Sequence, residues 1–172
     1  MPKTKNKPAY RPVIESWKVV RTWLAKNLPE FEANFDKGAS VKSIKALSKS
    51  LGRALPTDFS DSLRCHTSAE GIIPCPDRSR PSMCYSLMNP KEILTHWKMT
   101  IDFVDTGEFE IDHHRVKNSK GVIQQWLAPS WIPFASNGGG DTICVDLCPT
   151  YPGKLGQIIW VPHANEVRSV LA

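Results

Sequence analysis

Residues 131–161 read WIPFASNGGGDTICVDLCPTYPGKLGQIIWV, and the reading of this run decides the fold. It holds the densest apolar segments of the chain, separated by turn residues at regular intervals. Residues 131–135 predict a strand, 136–141 a turn, 142–147 a second strand, 148–155 a loop with Pro and Gly, and 156–161 a third strand. In the middle strand Ile143, Val145 and Leu147 alternate with Thr142, Cys144 and Asp146. That period of two marks a half-buried antiparallel strand. Gly138, Gly139 and Gly140 supply the positive φ that a tight turn needs and that a Cβ resists. The expectation is a three-stranded meander, with helices from elsewhere covering its apolar face.

The upstream sequence supplies those helices. Val13, Trp17, Val20 and Leu24 fall at spacings of four, three and four, an amphipathic stripe that ends near Asn27, before Leu28-Pro29. Ser40 is placed to cap a second helix bearing Val41, Ile44, Leu47 and Leu51, with Gly52 at its C-terminus. Leu55-Pro56-Thr57-Asp58 opens a third, with Phe59, Leu63 and His66 on one face. Residues 72–74 and 83–87 then read as strands joined by a surface loop. Asn89-Pro90 starts a helix with Ile93, Leu94, Trp97 and Ile101 inward. Residues 105–121 read as an exposed polar loop with an edge strand at 109–111, and 122–127 as a strand leading into the meander. Asn165 is placed to cap a last helix carrying Val167, Val170 and Leu171. The fold class is α+β, helices packed against a central antiparallel β-sheet, in one domain over residues 12–172.

The 172 residues suffice for one core that buries roughly 70% of the unfolded surface, without disulfides or metals. The first residues, MPKTKNKPAYRP, have no apolar core and do not read as a secretory signal. No run approaches the ~18 apolar residues of a membrane span. The expected location is therefore cytoplasmic, with the five cysteines as reduced thiols. The net charge of +5 is concentrated at one end: residues 1–26 carry seven Lys/Arg against Glu15, a net of +6, and the remainder is −1. Residues 1–11 read as a basic, disordered arm that solubilises the chain; nucleic-acid binding by it is the less favoured reading.

No convergent catalytic set is apparent. SNGGGD at 136–141 lacks the Lys-Ser/Thr of a phosphate-binding loop and is flanked by strands, so it reads as a hairpin turn. Asp112-His113-His114 has the residue types of a hydrolase metal site but no companions on rigid elements. Cys65, Cys75, Cys84, Cys144 and Cys148 lack the paired spacing of structural zinc and read as small buried hydrophobes. No cofactor or metal is expected. Trp131 and Trp160 read as core. Asp146 reads as an acceptor for the N–H groups of the turn after it, or alternatively as an exposed acid for partner recognition.

The motifs, taken in order, resemble a known family. They are GAS at 38–40, LG at 51–52, LPTDF at 55–59, LRCH at 63–66 before Glu70-Gly71, WIPFA at 131–135, GGGD at 138–141, CVDLCPT at 144–150 and GKLGQII at 153–159. Together they resemble the SUKH superfamily, also called the Smi–Knr family. The resemblance implies an α+β fold and a protein-binding, non-enzymatic role. In bacterial members that role is as immunity proteins neutralising a cognate toxin; in fungal members it is as regulatory scaffolds of cell-wall synthesis or signalling. The chain's compactness favours the immunity type. The toxin would then meet the sheet face left bare by helices, at the 136–141 turn and the 105–121 loop, with Asn137, Gly138, Gly139, Gly140, Asp141 and Asp146 as the partner-binding residues. Oligomeric state is left open. Two departures stand out. Cys148 occupies the second acidic position of the family's Asp-Leu-Asp-Pro, and the family's final helix runs beyond Ala172, which implies a truncated last helix.

Overall fold

The computed structural model describes residues 12–107 and 115–172. Among these residues five helices, α1 (Val13–Asn27), α2 (Pro29–Ala33), α3 (Val41–Leu51), α4 (Thr57–Cys65) and α5 (Pro90–Asp105), pack on one antiparallel sheet. Its strands are β1 (Ala69–Pro74), β2 (Cys84–Leu87), β3 (Trp131–Ser136), β4 (Thr142–Asp146), β5 (Ile158–Val161) and β6 (Ser169–Val170), and their spatial order is their chain order. The expected α+β architecture is what the chain adopts. The meander is in place too, with Ile132 opposite Val145 and Ile143 opposite Trp160.

Local chemistry explains why these elements start and stop where they do. The Ser40 Oγ accepts from the Ser43 N–H at 3.1 Å, and α3 ends on Gly52 at φ 64°. Asn89 and Glu92 close a capping box on α5: Asn89 Oδ1 accepts the Lys91 and Glu92 N–H groups, and Glu92 Oε2 accepts the Asn89 N–H at 2.8 Å. Helical stripes then meet one face of the sheet. Ile44, Leu47 and Leu51 of α3, Phe59 and Leu63 of α4, and Ile93 of α5 form one core with Ile132 and Val145. Tyr85, Leu87, Ala135, Ile143 and Trp160 form a second, against which Trp17 and Phe35 pack. Trp131 and Trp160 are both buried, as the sequence suggests.

The other face differs from expectation. Residues 122–127 are not a strand; residues 118–130 form an irregular segment that lies across the sheet. Val122, Ala128, Trp131, Cys144, Ile159 and Val161 make a third core there. The β4 strand is therefore buried on both faces, not half-buried, and the face without helices is covered at β3–β5 rather than bare. Backbone groups that a ladder would have satisfied are instead served by Asn118, whose Nδ2 donates to the Ile123 and Gln125 carbonyls at 2.7 and 3.0 Å. In return the Asn118 N–H donates to Gln124 Oε1 at 3.0 Å.

Further departures concern both ends of the chain. The α2 helix was not foreseen; it starts on Pro29 and is tied to α1 by the Arg21–Glu32 ion pair. The Val20 side chain, though in the α1 stripe by its spacing, is left exposed. The last segment is β6, not a truncated helix. Asn165 Oδ1 does accept the Val167 N–H at 3.0 Å, but the chain then pairs with β5, Val170 opposite Ile159. An open β5 edge next to the chain satisfies more backbone groups than one isolated turn of helix. Of the cysteines, all free, Cys144 alone is buried, while Cys84 and Cys148 are exposed. The arm at 1–11, the edge strand at 109–111 and Asp112-His113-His114 lie outside the described residues.

Candidate partner-binding surface

The residues expected at the surface of the 136–141 turn divide into two groups. Gly138, Gly139 and Gly140 are exposed at its tip, and Asn137 is partly buried. Asn137 organises the turn: its Oδ1 accepts the Gly139 and Asp141 N–H groups at 2.8 and 3.1 Å. Asp141 points inward and is 1% exposed. Its Oδ1 accepts from the His163 backbone N–H at 2.9 Å and pairs with His163 Nδ1 at 2.8 Å. Its Oδ2 accepts from Asn137 Nδ2 at 3.1 Å, the Tyr85 hydroxyl at 3.3 Å and Arg80 Nη1 at 3.4 Å. Trp160 Nε1 donates to the same Tyr85 hydroxyl at 2.6 Å, and the Arg80 guanidinium lies over the Trp160 ring, 5.5 Å from its centroid. Burial alone would raise the Asp141 carboxyl. The His163 hydrogen bonds, with the charges of His163 and Arg80, outweigh it and hold the group below the ordinary carboxylate range.

Asp146, at the far end of β4, is fully buried and not an exposed acid. The reading of it as an acceptor for the turn after it is the one realised: Oδ1 accepts the Cys148 N–H at 3.0 Å. Oδ2 accepts Gln157 Nε2 at 2.9 Å, and that same nitrogen donates to the Gly121 carbonyl at 2.9 Å. Burial pushes the Asp146 carboxyl up, against the two donors. Gly153 packs so tightly on this assembly that a Cβ there would stand 2.5 Å from the Gly121 oxygen and 2.9 Å from Pro149 Cβ. The loop after β4 is thus tied down from inside, while Tyr151 and Leu155, 97% and 71% exposed, stand on its outside. Neither is marked in the sequence, because a lone tyrosine and leucine in a loop carry no pattern. The partners of Asp141 are unmarked as well. Arg80 and Tyr85 are remote in sequence, but the register of Thr142 opposite Val161, extended past the strand ends, brings residue 163 beside the turn.

Chemically, Asp141–His163 is a carboxylate–imidazole pair of the kind that orients a base. Among the described residues no hydroxyl or thiol is hydrogen-bonded to the His163 ring. Cys144 is no nucleophile either, since burial pushes its thiol up to about 12. No group of three or more His, Cys, Asp or Glu is placed to hold a metal among the described residues. No helix among them is long and apolar enough to cross a membrane. What the geometry offers is two rigidly tied turns with exposed tips, one at each end of β4.

Residues 38–172 match the profile of the SMI1 / KNR4 family (SUKH-1). The chain belongs to this family. Among its similar proteins are the "Glucan synthesis regulatory protein" of Neurospora crassa, 25% identical over 96% of this chain, and the "Cell wall biosynthesis/cell cycle regulator smi1" of Schizosaccharomyces pombe, 25% identical over 94%. A "KNR4/SMI1 homolog" of Yarrowia lipolytica is 23% identical over 97%. This chain spans 36%, 33% and 29% of those proteins' lengths. All three are fungal, and the first two are named as regulators; of the two roles that the superfamily resemblance implies, these SMI1 / KNR4 relatives favour the regulatory one over the immunity type.

Proposed function

We propose that this chain is a protein-binding regulatory domain in cell-wall glucan synthesis, working in the cytoplasm as a scaffold rather than as a catalyst. The observation that carries this reading is that fungal proteins named as regulators of glucan synthesis and cell-wall biosynthesis align with nearly the whole chain. The geometry supports it. A preformed surface binds with little ordering cost, and the internal ties of Asp146 and Gln157 hold the 147–157 loop with Tyr151 and Leu155 outward. An exposed aromatic anchor beside an exposed leucine on such a loop suits a protein partner. Gly138, Gly139 and Gly140 form a second contact point at the opposite end of β4.

The test is to delete the gene in its source organism, then measure β-glucan content and growth on a glucan-synthase inhibitor. The deletion is expected to lower glucan and sensitise growth. The wild-type gene should restore both, and a folded Tyr151→Ala/Leu155→Ser variant should not. Unchanged glucan and inhibitor tolerance would overturn the proposal. So would rescue of growth from a toxin encoded beside the gene, which would put a toxin-neutralising immunity protein in its place.

A further inference from the structure

Helix α1 carries one broad apolar arc, and the domain covers one side of it. Trp17 packs toward the core and donates from Nε1 to Ser62 Oγ at 2.9 Å, and Leu24 is buried. On the outside, Val19 is 52%, Trp23 56% and Val20 40% exposed. Val19 and Trp23 lie four residues apart, so they stack on one helix face with Val20 at their flank. The shallow depression at this ridge is lined by residues of α1 alone, Glu15, Lys18, Thr22, Lys26 and Asn27 besides Val19 and Trp23. Among the described residues, no second element rises beside it to wall a groove. A convex ridge of this kind suits a flat surface better than a bound peptide, which needs walls for its own side chains.

Charge selects the kind of surface. Residues 1–26 carry a net +6 while the rest of the chain is −1. Arg21 is engaged by Glu32, and Lys18 reaches Glu15 at 2.8 Å in an exposed pair of little strength. Lys26 and the four cations of residues 1–11 complete the positive end. A second copy of the chain would set like charges against one another. We infer that the outer face of α1 docks on an anionic lipid surface, with Trp23 and Val19 entering the headgroup boundary and Lys18 and Lys26 lying among the headgroups. One apolar ridge together with one polybasic segment makes the two signals that reversible membrane attachment requires. Read from sequence as facing the core, the stripe of Val13, Trp17, Val20 and Leu24 carries no expectation of membrane contact; the exposed Val19–Trp23 side of the same helix is what adds one. The inference does not depend on the role in glucan synthesis.

The experiment is co-sedimentation of the 172-residue chain with vesicles of phosphatidylcholine alone and of phosphatidylcholine with phosphatidylserine. Binding is expected to the anionic vesicles only, and to weaken as salt rises. Val19→Ser/Trp23→Ser should weaken it about tenfold or more, and Lys18→Glu/Lys26→Glu by a similar factor. Both variants should keep the wild-type circular dichroism, since these side chains are exposed. Failure to bind anionic vesicles at moderate salt would overturn the inference, as would undiminished binding by the Val19/Trp23 variant. Self-association abolished by Trp23→Ser would instead assign the ridge to a second copy.

Discussion

Asp141 and Asp146 sit at the two ends of β4, both removed from water, yet their surroundings work in opposite directions. Asp141 faces a histidine, an arginine and a tyrosine hydroxyl, and stays charged against the cost of burial. Asp146 faces a backbone N–H and a side-chain amide, both neutral, and its burial is not offset. A buried carboxylate is therefore no single kind of feature. Its partners decide whether it serves as an ion that gathers distant segments or as an acceptor that shapes a local loop.

The largest contrast is expected from Asp141→Ala. Removing it leaves Arg80, Tyr85, Asn137 and His163 without their shared acceptor and should cost about 3–5 kcal/mol in urea unfolding. A third buried titratable group, His66, has to be separated before the two carboxylates can be compared by pH. It is 2% exposed and wedged between Trp17 and Phe35, ring centroids 3.7 and 5.2 Å away. Burial, and after it the charge of Arg21, lowers it from 6.5 to about 4. Between those values the unfolded chain binds a proton that the folded chain refuses, so stability falls as pH drops from 6.5 to about 4. The fall should reach roughly 3 kcal/mol, and His66→Phe should abolish it in unfolding curves taken across that range.

The loops at the two ends of β4 can be set against each other directly. Gly153→Ala drives a Cβ into the Gly121 carbonyl and should cost about 2–3 kcal/mol. Gly138→Ala meets nothing within 4 Å and strains only a φ of 73°, a loss of about 1 kcal/mol in the same assay. The smallest effect belongs to Asp146→Asn, within about 1 kcal/mol at neutral pH, because relief of an unpaired buried charge offsets the weakened contact with Gln157. Its signature is in pH. With a raised folded pKa, Asp146 binds its proton more readily in the folded chain, so its contribution to stability grows as pH falls through that pKa toward 3.8. Asp141, with a lowered pKa, contributes above 3.8 and loses that contribution as pH falls through its folded value. In His66→Phe chains, adding Asp146→Asn should remove the first trend and leave the second.

What was legible in the sequence is what is encoded locally. The Ser40 cap, the Asn89-Pro90 start of α5 and the Gly52 stop each lie within a few residues of the element they define. The site was less legible, because both aspartates act on partners brought by register: His163 to Asp141 across the β4–β5 hairpin, and Gly121 to the Asp146–Gln157 pair from the far side of the sheet. The segment at 122–127 misled for the same reason. Its apolar residues do face a core, but one Asn118 amide bonding two carbonyls replaces the ladder, and periodicity cannot register that. Residues 165–171 misled because an Asx cap is common to a helix start and to a turn before a strand.

The strand order of the sheet also sets how the chain assembles. Every pairing among the described strands joins strands consecutive in the chain, so β3, β4 and β5 can zip together from near neighbours alone, and β1 with β2 likewise. The pairing of β2 with β3, Leu87 against Ala135, closes a far longer stretch that includes all of α5. Among the pairings of the described strands, loop-closure entropy is therefore largest at that one seam, between the β1–β2 hairpin and the β3–β5 meander.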